Sequence, residues 1–235
     1  MKAYVNNVAR MGAVLVLALA FGVMSAARAE AAFVAYICDD AACDGVGDVS
    51  VTDESLDDDL DGIPGAILFS DSVAGYEIVI NTSQSKPVLA SGMDLNYTVT
   101  NVVGGSDGTV WLYATDTDFD GPEALSGILG GTSDNGSVTA IICGGDDNDD
   151  RDPVNTAPCT FGTDNSAPAI AIALNHNATG NPYSLTIGVA VSLDGVGSTA
   201  TGDLRVVPEP ASLALLSMGL LGAGAAIRRR RQVTA

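Results

Sequence analysis

The chain predicts an all-β protein, a β-sandwich or jelly-roll-like single domain, on three observations. Apolar residues recur at a period of two, the spacing that puts alternate side chains on one face of a strand. Turns rich in glycine, aspartate and asparagine, such as Gly104-Gly105-Ser106-Asp107-Gly108 and Asp134-Asn135-Gly136, punctuate the chain at intervals of about ten residues. No amphipathic helical pattern of convincing length occurs between 30 and 208. Short strands joined by such turns bury their apolar faces by packing as two sheets.

Taken in order, Phe33–Ile37, Val49–Thr52 and Ala66–Ser70 are short apolar stretches with polar flanks and are expected strands. Tyr76, Ile78 and Ile80 recur at the strand period, and Leu95, Tyr97 and Val99 alternate with Asn96, Thr98 and Thr100. Thr109–Ala114 is more uniformly apolar, as a central strand would be, with Trp111 expected as a core anchor. Val138–Cys143 and Ile170–Asn175 are further strands. The strongest pattern lies near the end: Tyr183, Leu185, Ile187, Val189, Val191 and Leu193 are apolar, and every residue between them is small or polar.

Both termini differ from this body. Lys2 and Arg10 precede an apolar run from Met11 to Met24, and Ala27-Arg28-Ala29 follows as a small-residue cut site. These are the parts of a secretory signal peptide, with cleavage by signal peptidase expected after Ala29. At the other end Val207-Pro208-Glu209-Pro210-Ala211 leads into an apolar stretch, Ser212 to Ile227, and then Arg228-Arg229-Arg230-Arg231. The stretch is near the lower limit for crossing a hydrocarbon core of about 30 Å. Arginines directly after a span are retained on the cytoplasmic side.

A turn-forming motif, a weak span and a basic stop, in that order, resemble the PEP-CTERM sorting signal of Gram-negative bacteria. The resemblance implies that exosortase cuts near Pro208-Glu209-Pro210 and that the protein passes from transient inner-membrane insertion to the cell surface or medium. The expected organisation is a signal peptide over 1–29, a β-sandwich domain over 30–206, and a sorting signal over 207–235 with a transmembrane helix. The body resembles a recurrent group of short PEP-CTERM proteins through P-G-A-I-L-F-S at 64–70, K-P-V-L at 86–89, M-D-L-N at 93–96, D-T-D-F at 116–119 and Gly130-Gly131-Thr132. That resemblance implies a surface-destined β-protein without a defined activity.

Without its two ends the chain is strongly acidic. Residues 30–208 keep only Lys86, Arg151 and Arg205 against 28 acidic side chains, a formal net charge of −25. Such a surface repels nucleic-acid phosphates and anionic headgroups and favours solubility and divalent cations. Four cysteines in an exported chain imply two disulfides. Three connectivities are open, and pairing Cys38 with Cys43 and Cys143 with Cys159 closes the shortest loops. Zinc–thiolate chemistry is disfavoured, since His176 is the single histidine.

Two segments repeat a D-x-D-x-D-G spacing: Asp57, Asp59 and Asp61 before Gly62, and Asp116, Asp118 and Asp120 before Gly121. Alternate carboxylates in a tight loop can converge on calcium, and the glycine permits the sharp turn. The first copy resembles the calcium loops of thrombospondin type 3 repeats. Both depart from the EF-hand pattern, with Leu68 and Gly127 where a bidentate glutamate would stand. A third acidic run, Asp146 to Asp152, has a less regular spacing and is expected as a solvated loop.

Catalytic signals are weak, and no enzyme is expected. A Ser-His-Asp site would need His176, the chain has no G-x-S-x-G elbow, and His176 is expected as a polar loop or strand-end residue. Carboxylates are too abundant for any one pair to be informative. A sugar-stacking platform would rest on Trp111, Tyr113 or Tyr97. The expected role is structural or adhesive, with acidic loops that take calcium. The alternative is a carbohydrate-binding module or carbohydrate-active hydrolase acting on extracellular polysaccharide. Coplanar exposed rings on one face would favour the module, and a concave pocket with two carboxyls of raised pKa the hydrolase.

Overall fold

A computed structural model describes residues 33–208, apart from 46, 55–58, 61, 90, 103–107, 121–123, 146–158, 167 and 181. The chain divides into two units, Met1–Ala31 and Ala32–Ala235, and every described residue belongs to the second. The expected signal peptide, with Ala27 and Ala29, and the expected C-terminal span lie outside the described residues. Among the described residues no helix is long and apolar enough to cross a membrane.

Twelve strands follow in chain order: β1 (Val34–Cys38), β2 (Val49–Thr52), β3 (Ala66–Val73), β4 (Tyr76–Gln84), β5 (Met93–Asn101), β6 (Thr109–Phe119), β7 (Ala124–Ser133), β8 (Gly136–Gly145), β9 (Cys159–Asp164), β10 (Ala169–Asn177), β11 (Tyr183–Leu193) and β12 (Thr199–Pro208). One sheet runs β2-β1-β6-β11-β8-β9 and the other β10-β7-β12-β5-β4-β3. Every pairing is antiparallel. The result is the expected all-β sandwich, and all nine expected strands are present within a few residues of their predicted ends.

The period of two decides what enters the core. On β11, Tyr183, Leu185, Ile187, Val189, Val191 and Leu193 face the other sheet and pack with Met93, Leu95, Tyr97 and Val99 of β5 in one cluster. Each such buried aliphatic side chain contributes about 1.5–3 kcal/mol through loss of apolar surface to water. The alternation on β11 does not mean a wet outer face, however. Tyr113 of β6 lies over Gly188, where a Cβ would come within 2.4 Å of Tyr113 Cδ1. Only a residue without a side chain admits the ring there.

Trp111 is the main correction to the sequence reading. It is not a core anchor. Val110, Leu112 and Ala114 fill the inward positions of β6, so Trp111 and Tyr113 point the other way. The two rings stack, with centroids 6.1 Å apart and planes 16° from parallel. They join Ile141, Cys143 and Ala190 in a second, smaller apolar cluster on the outer face, with Tyr36, Cys43 and Cys159 at its margin. The disulfides Cys38–Cys43 and Cys143–Cys159 both form and border this cluster. Tyr113 is fully buried, and its hydroxyl donates to the Ala41 carbonyl at 3.3 Å, which holds the Cys38–Cys43 loop over the ring.

Three strands were not expected: β7, β9 and β12. The last matters for processing. It lies inside its sheet between β7 and β5, and it runs through Val207 and Pro208, past the expected domain edge at 206. Val206 is a core residue, so body and sorting segment meet without a spacer.

Three of the short motifs shared with the recurrent group, at 64–70, 86–89 and 116–119, meet in one place. Gly65 sits at φ +80°, and a Cβ on it would lie 2.4 Å from the Lys86 carbonyl oxygen. Its own carbonyl accepts the Ser85 N–H at 2.9 Å. Ser85 donates to Asp116 Oδ2 at 2.5 Å, and Lys86 Nζ stands 3.7 Å from that oxygen. Lys86 also donates to the Thr117 carbonyl and lies 4.4 Å above the Phe119 ring, which stacks on Tyr183. These motifs therefore build a buried clasp.

Candidate functional site

Of the predicted calcium residues, Asp59, Asp116, Asp118 and Asp120 are described. Asp57 and Asp61 lie outside the described residues. Asp59 is buried, with Oδ2 accepting the Glu54 N–H at 3.1 Å and Oδ1 accepting the Leu68 N–H at 3.3 Å. In the second copy Asp116 faces the interior, where burial raises its pKa against the opposing pull of Ser85 and Lys86. The pairing of β6 with β11 slips across this stretch, and Asp118 adopts a left-handed φ of 58° on the exposed surface, as Asp120 does not share. Asp120 is exposed just beyond the strand. The bulge thus separates Asp116 from Asp118 instead of aiming both at one point. Among the described residues no three His, Cys, Asp or Glu side chains are grouped to hold a metal ion. The third acidic run, Asp146 to Asp152, lies outside the described residues.

His176 is a strand-end residue, one from the end of β10, and buried. Its Nδ1 lies 3.0 Å from Thr160 Oγ1, and burial lowers its pKa. Of the sorting residues, Val207 and Pro208 close β12, while Glu209, Pro210, Ala211 and Arg228 to Arg231 lie outside the described residues.

The site the structure does assemble was not among the predicted site residues, although two of the shared motifs, M-D-L-N at 93–96 and Gly130-Gly131-Thr132, contribute to it. It occupies the outer face of the β7-β12-β5 sheet. Register lays three rows across these strands: Thr132–Thr201–Thr98, then Gly130–Asp203–Asn96, then Ile128–Arg205–Asp94. Thr132 and Thr201 hydroxyls are 3.0 Å apart. A bulge in β4 releases Asn81 from the ladder, and its Nδ2 donates to Asn96 Oδ1 at 3.0 Å and Thr98 Oγ1 at 3.4 Å. A polar cleft of about 360 Å³ runs between Asn81, Asn96, Thr132 and Thr201. A second of about 620 Å³ extends past Ile128, Arg205 and Val207. Gly130 and Asp203 belong to both clefts, so together they make one groove along β12.

Asp94 is the electrostatic centre of this face. Its pKa is pushed up to about 7, first by burial and then by hydrogen bonding and charge from Asp203, while Arg205 opposes. Its Oδ1 is buried without a partner. A carboxyl whose folded pKa is raised binds its proton more tightly in the fold than in the open chain. That contribution is complete below the unfolded value of 3.8 and disappears as pH rises through about 7. Asp53 and Asp116 share this sign, and His176 has the opposite one. The melting temperature is expected to fall between about pH 4 and about pH 7, and Asp94→Asn to flatten that slope. An unchanged slope in the variant, measured by thermal melts, would contradict the assignment.

Two carboxyls near enough to hydrogen-bond do not fit glycoside hydrolysis, which separates them by about 5–5.5 Å or by about 6.5–9.5 Å. The groove also contrasts with the opposite sheet, where the stacked Trp111–Tyr113 pair is largely covered. Hydroxyls, amides and two carboxyl groups stand on this face.

Residues 206–231 match the PEP-CTERM protein-sorting motif family. No curated protein matches the chain. Among solved structures, the chain is similar to a carbohydrate-binding module of the β-sandwich superfamily, at 14% identity and a TM-score of 0.37 over 68% of this chain and 66% of that one. It is also similar to the family 11 carbohydrate-binding module of Clostridium thermocellum, solved with a mixed-linked tetrasaccharide (14%, 0.33, 64% and 93%). A third is the enzymatically active domain of tailspike protein 4 of bacteriophage CBA120 (13%, 0.37, 61% of this chain), of which the chain spans only 19%. At these values the likeness reaches no further than the fold.

Proposed function

We propose, from the premise that a chain with a PEP-CTERM motif is exported and processed by exosortase, that this protein is a non-catalytic adhesive or structural component of the cell surface or extracellular matrix. The reading is carried by the outer face of the β7-β12-β5 sheet, where a fixed polar groove lies on interior strands of a sheet. The backbone groups there are spent on the ladder, so side chains alone present chemistry to a partner. The two disulfides and the high negative charge suit a protein that must persist in solution outside the cell.

Calcium remains part of the proposal, at the first acidic loop. Asp53, whose Oδ1 is buried without a partner, lies close enough to Asp59 for the two charges to repel, and a cation there would relieve the repulsion. Cells lacking the protein are expected to attach less well to surfaces or matrix, and adding back the processed protein should restore attachment. Calcium at about 10 mM should raise its melting temperature by ligand linkage. Unimpaired attachment without the protein would defeat the adhesive reading. A flat calcium titration would remove the metal alone.

A further inference from the structure

We infer that the groove along β12 binds a neutral oligosaccharide, whose hydroxyls bond to Asn96, Asp203 and the threonine row while a sugar-ring face rests on Ile128 and Val207. This rests on the adhesive reading and names the ligand class for its contact face.

Space is the first argument. At Gly130 a Cβ would meet no atom within 4 Å, so the row Gly130–Asp203–Asn96 has a notch at one end. The notch joins the two clefts, and a ligand can run from the threonine row to Val207 without crossing a side chain at that position. The groove is long and open, as suits a segment of a polymer.

Chemistry is the second. β7, β12 and β5 are interior strands, so an extended peptide finds no free edge to pair with in the groove. Recognition falls to hydroxyl, amide and carboxyl groups, which exchange hydrogen bonds readily with sugar hydroxyls. Asn96 and Thr98 are held by Asn81, and Thr132 is held against Thr201, so little side-chain freedom is lost on binding. At the other end, Ile128 is 63% exposed and Val207 36%. Exposed aliphatic groups beside a polar row match the C–H face and hydroxyl rim of a pyranose.

Charge is the third. Residues 30–208 carry a formal net charge of −25. Arg205 is the one cation lining the groove among the described residues, and Asp94 stands directly opposite it, with Asp203 nearby. An anionic polymer would meet repulsion from the whole body, and the one cation lining the groove faces a carboxyl, so the ligand is neutral.

The test is affinity electrophoresis and calorimetric titration of the processed, exported protein. The probes are a soluble β-glucan, an α-glucan and a galactan, with alginate as the anionic control. Retention by at least one neutral polymer and none by alginate is expected. Gly130→Val, which fills the notch, and Asn96→Ala should each weaken binding by about tenfold or more. Phe161→Ser, on the opposite sheet, should leave it unchanged, and melting curves confirm that each variant is folded. Retention by no neutral polymer, stronger retention by alginate, or full binding by folded Gly130→Val would overturn the inference. Attachment of cells is scored separately: if it depends on the protein while every glycan fails, the ligand class is wrong and the adhesive role stands.

Discussion

Replacing Asp116 by alanine is expected to destabilise the sandwich by about 1–3 kcal/mol, the cost of leaving buried donors without their acceptor. The carboxylate is the only element common to the clasp: Ser85 donates to it, Lys86 stands beside it, and the Thr117 N–H bonds its other oxygen. Its removal leaves the buried Ser85 hydroxyl without its acceptor, while Lys86 keeps only the Thr117 carbonyl and the Phe119 ring. Asp116→Asn should cost much less, because burial already favours the neutral carboxyl and an amide oxygen still accepts from Ser85. The measurement is a denaturant midpoint at constant slope. An alanine variant within about 0.5 kcal/mol of the parent would show that the clasp is decorative.

Changing Pro208-Glu209-Pro210 to alanines is expected to leave the full-length chain in the inner membrane, with no processed form at the surface. The structure supplies a control for this experiment. Pro208 closes β12, where alanine is compatible with a strand, so the body should keep its melting temperature and its disulfides. Val206→Asp, one residue before the motif proper, should instead unfold the body, since Val206 is wholly buried between the sheets. Processing loss with a folded body separates recognition of the motif from failure of the fold. Normal release of the triple variant would refute sorting through this motif.

Legibility in the sequence followed the strength of the local pattern. β11 was visible to the residue, because six large apolar side chains repeat without interruption. β12 has the same period, but Ala200 and Gly202 occupy two of its inward positions, so the apolar signal is faint until the neighbouring strand β5 supplies Tyr97 over Gly202. β7 is hidden by its three glycines, which lower strand propensity, and β9 by polar residues on an edge strand. Trp111 was placed in the core because a short apolar run shows no preferred face. Its neighbours on β1 and β11 decide that face, and they are distant in sequence. The repeated acidic spacing seemed a loop signature, yet in the second copy the first aspartate belongs to a strand and the third does not.

What one dimension determined was whatever depends on neighbours along the chain: alternation and hence the all-β class, the preference for local cysteine pairs, the charge, and the tail that the sorting-motif family matches. The groove was decided only in three dimensions. Its rows combine residues from β5, β7 and β12, and Asp94 acquires its unusual proton affinity first from burial and then from Asp203, more than a hundred positions away. Cross-strand register sets those juxtapositions, and register emerges only when both sheets close on a shared core.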